Sequence, residues 1–175
     1  TMLVDAGPAD AGPTVVRYPR GSSGLSRFRF HPHPVEIGRA EALREGAEGE
    51  IWALGPMVET ALSAAGILAE RKRSFGVVDA RFVKPLDEAR LLSAARAGKT
   101  VVTLEEHALM GGMGAAILEC LEAAGVDERV VRIGLPDRFI EHGTIAELRD
   151  LCGLTPEKVA ETILSRLPAR GNPQS

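Results

Sequence analysis

The most constraining feature of this chain is an alternation of two hydrophobic periods. Four short apolar runs, Glu50–Leu54, Phe75–Ala80, Thr100–Leu104 and Arg129–Leu135, are separated by stretches with apolar residues at helical spacing. Runs of this length, apolar at successive positions, suit strands covered on both faces. Met57, Val58, Ala61, Leu62, Ala65 and Leu68 lie three or four positions apart, so they share one helix face. Leu91, Leu92 and Ala95 do the same, as do Ile117, Leu118 and Leu121, and then Val159, Ile163, Leu164 and Leu167. Strands alternating with helices predict an α/β fold: a three-layer α/β/α sandwich around a five-stranded, mostly parallel mixed sheet. The fifth strand is expected at Ile37–Leu43. Its Arg39 and Glu41, with Arg44 just beyond, suit an antiparallel strand at a sheet edge.

Local signals mark where the helices begin and end. Asp87 is placed to cap the helix carrying Leu91, and Gly98 to end it. Thr144 followed by Glu147 forms a capping box, and Thr155-Pro156 supplies a cap and a first-turn proline. Gly125 closes the helix of Ile117, and Pro168 closes the last one.

Residues 1–34 read differently. Gly7-Pro8, Gly12-Pro13, Pro19, Gly21-Ser22-Ser23-Gly24, Pro32 and Pro34 punctuate them, with one short strand signal at Thr14–Tyr18. The chain opens on a loop-like segment and is expected to be a piece of something longer. No apolar run is long enough to span a membrane, and Thr1 to Pro8 lack a signal-peptide core. The net charge of −3 argues against a broad nucleic-acid face. The two cysteines, Cys120 and Cys152, fall in helical patterns and read as free thiols of a reducing, cytoplasmic compartment. No CxxC or HxxxH pair suggests zinc.

Four strings could carry chemistry. In Arg17-Tyr18-Pro19-Arg20-Gly21, a guanidinium on a stiffened backbone suits a phosphate or carboxylate; a surface arginine paired with an acid fits the same letters. Glu105-Glu106-His107, followed by Gly111-Gly112-Met113-Gly114, joins possible acid–base groups to a helix start that could hold an anion. The plainer reading is a tight strand-to-helix turn beside a solvated or interface acid pair. Asp79 and Arg81 would share one side of an extended chain and could pair with neighbours, and Lys84-Pro85 fixes the path into the next helix. Phe139 and Ile140, in the loop from Gly134 to Gly143, either fill the core or meet another surface. His142 has no second histidine or cysteine nearby, and His31 and His33 read as solvent-facing.

Together RYPRG at 17–21, VDARFVKPLD at 78–87, EEHALMGGMG at 105–114 and GLPDRFIEHG at 134–143 resemble the C-terminal part of the 1-deoxy-D-xylulose-5-phosphate synthases, of the transketolase superfamily. The likeness runs over residues 13–167, nearly the whole chain. It implies a remnant of the middle, pyrimidine-binding domain at 1–24, a linker at 25–34, a transketolase-type C-terminal domain at 35–168 and a disordered tail at 169–175. It implies condensation of pyruvate with D-glyceraldehyde 3-phosphate with loss of carbon dioxide. Thiamine diphosphate and a magnesium ion (Mg2+) would be held by upstream domains. The N-terminal and middle domains, and a second subunit of a homodimer, are the implied partners, with no nucleic acid and no membrane. The residue implied to hold the substrate phosphate is Arg20, supported by Arg17 and Tyr18; no catalytic or metal-binding residue is implied in this chain, and the chain alone is expected to be inactive. A transketolase, a 2-oxo-acid dehydrogenase beta-type component and a stand-alone anion-binding module are the competing readings.

Overall fold

A computed structural model of the chain describes residue 15 and residues 35–167. Arg17, Tyr18, Arg20, His31 and His33, the strand signal at 14–18 apart from Val15, and the tail after Leu167 therefore lie outside the described residues. Five strands form one sheet: β1 (Glu41–Arg44), β2 (Gly49–Ala53), β3 (Phe75–Asp79), β4 (Thr100–Ala108) and β5 (Val130–Leu135). Five helices accompany them: α1 (Met57–Glu70), α2 (Glu88–Arg96), α3 (Met113–Ala123), α4 (Ile145–Leu151) and α5 (Pro156–Arg166). The strand order is β1-β3-β2-β4-β5. β1 pairs antiparallel with β3, and the other pairs are parallel.

Alternation along each strand divides the core in two. Ile51, Val77 and Val102 face α1 and α5, joining Ala61, Ala65, Leu68, Val159 and Ile163. Trp52, Val78 and Val101 face the other way, against Leu91 of α2 and Ile117 and Leu121 of α3. Both clusters are fully buried at their centres. Each such side chain removed from water stabilises the fold by about 1.5–3 kcal/mol before conformational entropy is counted. The sheet is thus packed between two helical layers, as the two periods predict, and the domain carries its own core.

The expected caps at the helix starts hold. The Asp87 carboxylate accepts from the Arg90 backbone N–H at the start of α2, and Thr144 and Glu147 form the reciprocal capping box of α4. Thr155 caps α5, with Pro156 in its first turn.

Two boundaries differ from the sequence reading. The edge strand begins at Glu41 rather than Ile37. Residues 36–39 turn instead, closed by Arg39 N–H donating to the Glu36 carbonyl at 3.1 Å. Gly38 sits there at φ +76, and a Cβ on it would meet Cγ of Pro85 at 2.9 Å. The third buried strand runs on past Leu104 to Ala108. Its pairing with β5 shifts register between Leu104 and Ala108, which lets the polar letters Glu105-Glu106-His107 remain in the ladder.

Candidate functional site

The carboxyl ends of β2 and β4 are where the crossover helices change faces. α1 follows β2 on one side of the sheet, and α3 follows β4 on the other. Such a switch point is where open parallel sheets most often place a ligand. Here the place is taken by the chain itself. Glu105 is 1% exposed. Its Oε2 accepts from the Met113 N–H at 2.7 Å and its Oε1 from the Gly114 N–H at 2.8 Å. The positive end of α3 is therefore neutralised by a carboxylate nine residues or fewer upstream.

The glycines around it serve this contact. A Cβ on Gly112 would strike the Glu105 carboxylate, lying 2.8 Å from Cδ, and would crowd the Ala108 carbonyl at 2.9 Å. A Cβ on Gly114 would stand 2.7 Å from Oγ1 of Thr103. The expected strand-to-helix turn is present, but Glu105 is neither solvated nor a free acid–base group. Its neighbours part company with it. Glu106 is exposed and pairs with Nε of Arg149 at 2.6 Å. His107 is exposed, with Nδ1 2.9 Å from the Ala108 carbonyl. The acid–base pairing considered for these letters is not formed.

Asp79, Arg81, Phe139, Ile140 and His142 lie at or beyond the carboxyl ends of β3 and β5, on the same edge of the sheet. Arg81 is not extended: its φ of 55 turns the chain back, its N–H donates to Asp79 Oδ1 at 3.0 Å, and its guanidinium pairs with Glu41. Burial raises the pKa of Asp79 above the ordinary carboxylate range, against the opposing pull of the Arg81 N–H and charge. Phe139 does not enter the core and is 95% exposed; Ile140 is half-buried. His142 is exposed beside a shallow hollow lined by Glu141, Glu147, Asp150 and Leu151. Cys120 and Cys152 are free thiols, and burial with the nearby Glu88 charge pushes the Cys120 thiol up.

A second buried acid escaped the sequence reading. Glu50, inside the apolar run of β2, is 3% exposed. One oxygen, Oε1, receives both Nη2 of Arg90 at 3.3 Å and Nζ of Lys99 at 3.2 Å. Its other oxygen is buried with no hydrogen-bond partner. Beside it an open groove of about 770 Å³ runs along α2, lined by Arg39, Asp87, Arg90, Ser93 and Lys99 among others. The only legible signal was an acid within an otherwise apolar strand.

Among the described residues no cluster of three or more His, Cys, Asp or Glu could hold a metal ion. The helix start that could have received a diphosphate is filled by Glu105. The described residues thus do not fit thiamine diphosphate or its magnesium ion. No described helix is long and apolar enough to cross a membrane.

Residues 38–159 match the family model described as "Transketolase, C-terminal domain". The chain belongs to that family. This transketolase C-terminal domain is 46% identical over 170 residues to the 1-deoxy-D-xylulose-5-phosphate synthase of Thermomicrobium roseum, covering 97% of this chain and 27% of the relative. It is 49% identical over 152 residues to the synthase of Desulforudis audaxviator, covering 86% of this chain and 24% of that protein. It spans about a quarter of the length of these relatives. Among solved structures, a split-gene transketolase described as an inactive β4 tetramer superimposes with a TM-score of 0.72. That match has 37% identity over 78% of this chain and 45% of the other. A transketolase mutant from Pichia stipitis, at 22% identity and a TM-score of 0.52, covers 72% of this chain and 17% of that one, and shares the fold. The transketolase-type architecture expected from the motifs is therefore the one this domain adopts.

Proposed function

We propose that the chain serves as the C-terminal portion of a 1-deoxy-D-xylulose-5-phosphate synthase. In this reading the complete enzyme condenses pyruvate with D-glyceraldehyde 3-phosphate and releases carbon dioxide. The observation that carries it is the 46% identity to a synthase over 97% of the chain. The 37% identity to a split transketolase supports the rival reading less strongly. Thiamine diphosphate, with its magnesium ion, would supply an electron sink for the carbanion left by decarboxylation. Both would be held by upstream domains, in a cytoplasmic homodimer. Residues 1–24 would belong to the middle domain, 25–34 would link it to the domain at 35–168, and 169–175 would be a tail.

On this reading Arg20, supported by Arg17 and Tyr18, grips the phosphate of the aldehyde substrate and holds the aldehyde in line for attack. A guanidinium fork matches two phosphate oxygens, and its removal from a dry site costs about 2–5 kcal/mol. Arg20→Ala in the complete enzyme is expected to raise the KM for D-glyceraldehyde 3-phosphate by at least tenfold. Turnover of unphosphorylated D-glyceraldehyde should move little. An unchanged KM for the phosphorylated aldehyde overturns the role of Arg20. Product analysis with pyruvate and the triose phosphate tests the reaction itself: ketose transfer without release of carbon dioxide would favour the transketolase reading. The 175-residue chain alone is expected to be inactive and to show no heat of binding with thiamine diphosphate; measurable binding would refute that.

A further inference from the structure

We propose that the carboxyl edge of the sheet is the face on which the upstream domains of the synthase dock, with Val83, Met110 and Phe139 as apolar anchors. The proposal rests on the reading above, and adds to it which surface meets the rest of the enzyme.

Large apolar side chains are exposed on this edge in the connections after β3, β4 and β5. Val83, after β3, is 37% exposed; Met110, after β4, is 71%; Phe139, after β5, is 95%. Gly55 and Pro56, after β2, are also exposed. In the strand order β2 stands between β3 and β4, so the row is interrupted there by Gly55 and Pro56. Ile37, 68% exposed, extends the row beside β1. The opposite edge is unlike it. Its connections read EGAE at 45–48, RKRS at 71–74, AGK at 97–99 and AGVDER at 124–129, and none exposes a large apolar residue. Leu118, Ile145 and Leu151 are also exposed, on helices, but among the connections between strands and helices the exposed large apolar residues gather at this edge, as on a docking surface.

A small ligand fits this face poorly. The helix start there is sealed by Glu105, and neither the groove beside Glu50 nor the hollow beside His142 is lined by Val83, Met110 or Phe139. An exposed apolar row suits a protein partner.

The path of the chain selects the partner. β1 runs against β3, with Glu41 opposite Asp79, so the polypeptide reaches the domain at the carboxyl edge. It is fastened there by the Ala40 N–H on Asp87 Oδ2 at 3.0 Å and by Gly38 against Pro85. The chain preceding Val35 is thus tethered to the domain at this edge.

Hydrogen–deuterium exchange tests the proposal, comparing the complete enzyme with the 175-residue chain. The expected result is at least tenfold slower exchange in the complete enzyme at residues 80–87, 109–112 and 136–143, with no change at 71–74 and 124–129. Phe139→Asp combined with Met110→Asp should abolish that slowing and leave the Tm of the isolated chain unchanged, because both side chains are exposed. Slowing at the opposite edge or nowhere overturns the proposal. So does slowing in the isolated chain that grows with its concentration, which would assign the face to a second copy. The reaction reading is judged separately. Product from pyruvate with an unprotected edge sinks the interface alone; a protected edge without product sinks the reaction alone.

Discussion

Oε1 of Glu105 accepts the backbone N–H of Gly114 at 2.8 Å, tying the strand β4 to the first turn of α3. With the Met113 N–H on Oε2, both oxygens of a buried carboxylate are used. This pair of bonds decides what the Gly-rich stretch can do, because it closes the helix start to any other anion.

Glu105→Ala should therefore unfold the protein more easily. It strands two N–H groups in a buried turn, at about 1–3 kcal/mol each. Urea denaturation should show a loss of roughly 3 kcal/mol. Glu105→Gln should lose less, since one carbonyl oxygen still accepts, although its amide then faces a donor. A loss below about 1 kcal/mol for the alanine variant contradicts the role given to Glu105.

Gly112→Ala should destabilise by about 1–3 kcal/mol, the usual cost of forcing a methyl into a filled place. The new Cβ would press on the Glu105 carboxylate and the Ala108 carbonyl. In a Glu105→Ala background much of that pressure is gone, so the two losses should sum to more than the double variant shows. Strict additivity in a double-mutant cycle would mean the two residues do not touch.

Glu50 and its cations should respond unequally. Removing the acid leaves Arg90 and Lys99 facing each other, only about a quarter exposed. Glu50→Gln is expected to cost about 2–4 kcal/mol, less than a fully dry pair because water reaches the cations. Lys99→Met should cost under about 1 kcal/mol, since Arg90 remains on the same oxygen. Equal losses from the two variants would argue against a shared acceptor.

Asp79 makes a pH prediction. Its pKa is raised in the fold by burial, so the folded chain holds that proton more tightly than the unfolded one. Its contribution is favourable below the unfolded value, near 3.9, and is lost as pH rises through the raised folded value. Asp79→Asn keeps an oxygen for the Arg81 N–H and removes the buried charge. Its Tm should exceed the parent's at pH 7, with the difference shrinking as the pH falls toward 4. A lower Tm at pH 7, or a gap that widens in acid, counts against this account.

The sequence alone determined the strand–helix order, the antiparallel edge strand, the two-sided core and the caps at Asp87, Thr144 and Thr155. These signals act within a few residues or through a hydrophobic period, so a linear reading captures them. It placed Phe139 and Ile140 correctly as a question of core or surface and could not answer it. It also stopped β4 at Leu104, because the polar letters that follow are held by a register shift with β5 that no local pattern announces. Only the tertiary structure decided that Glu105 is the anion at its own helix start, and that Glu50 meets Lys99 across 49 residues. Whether an acid faces water or a buried N–H depends on which distant segment folds over it. That is fixed by packing between elements, and the order of residues within one element does not encode it.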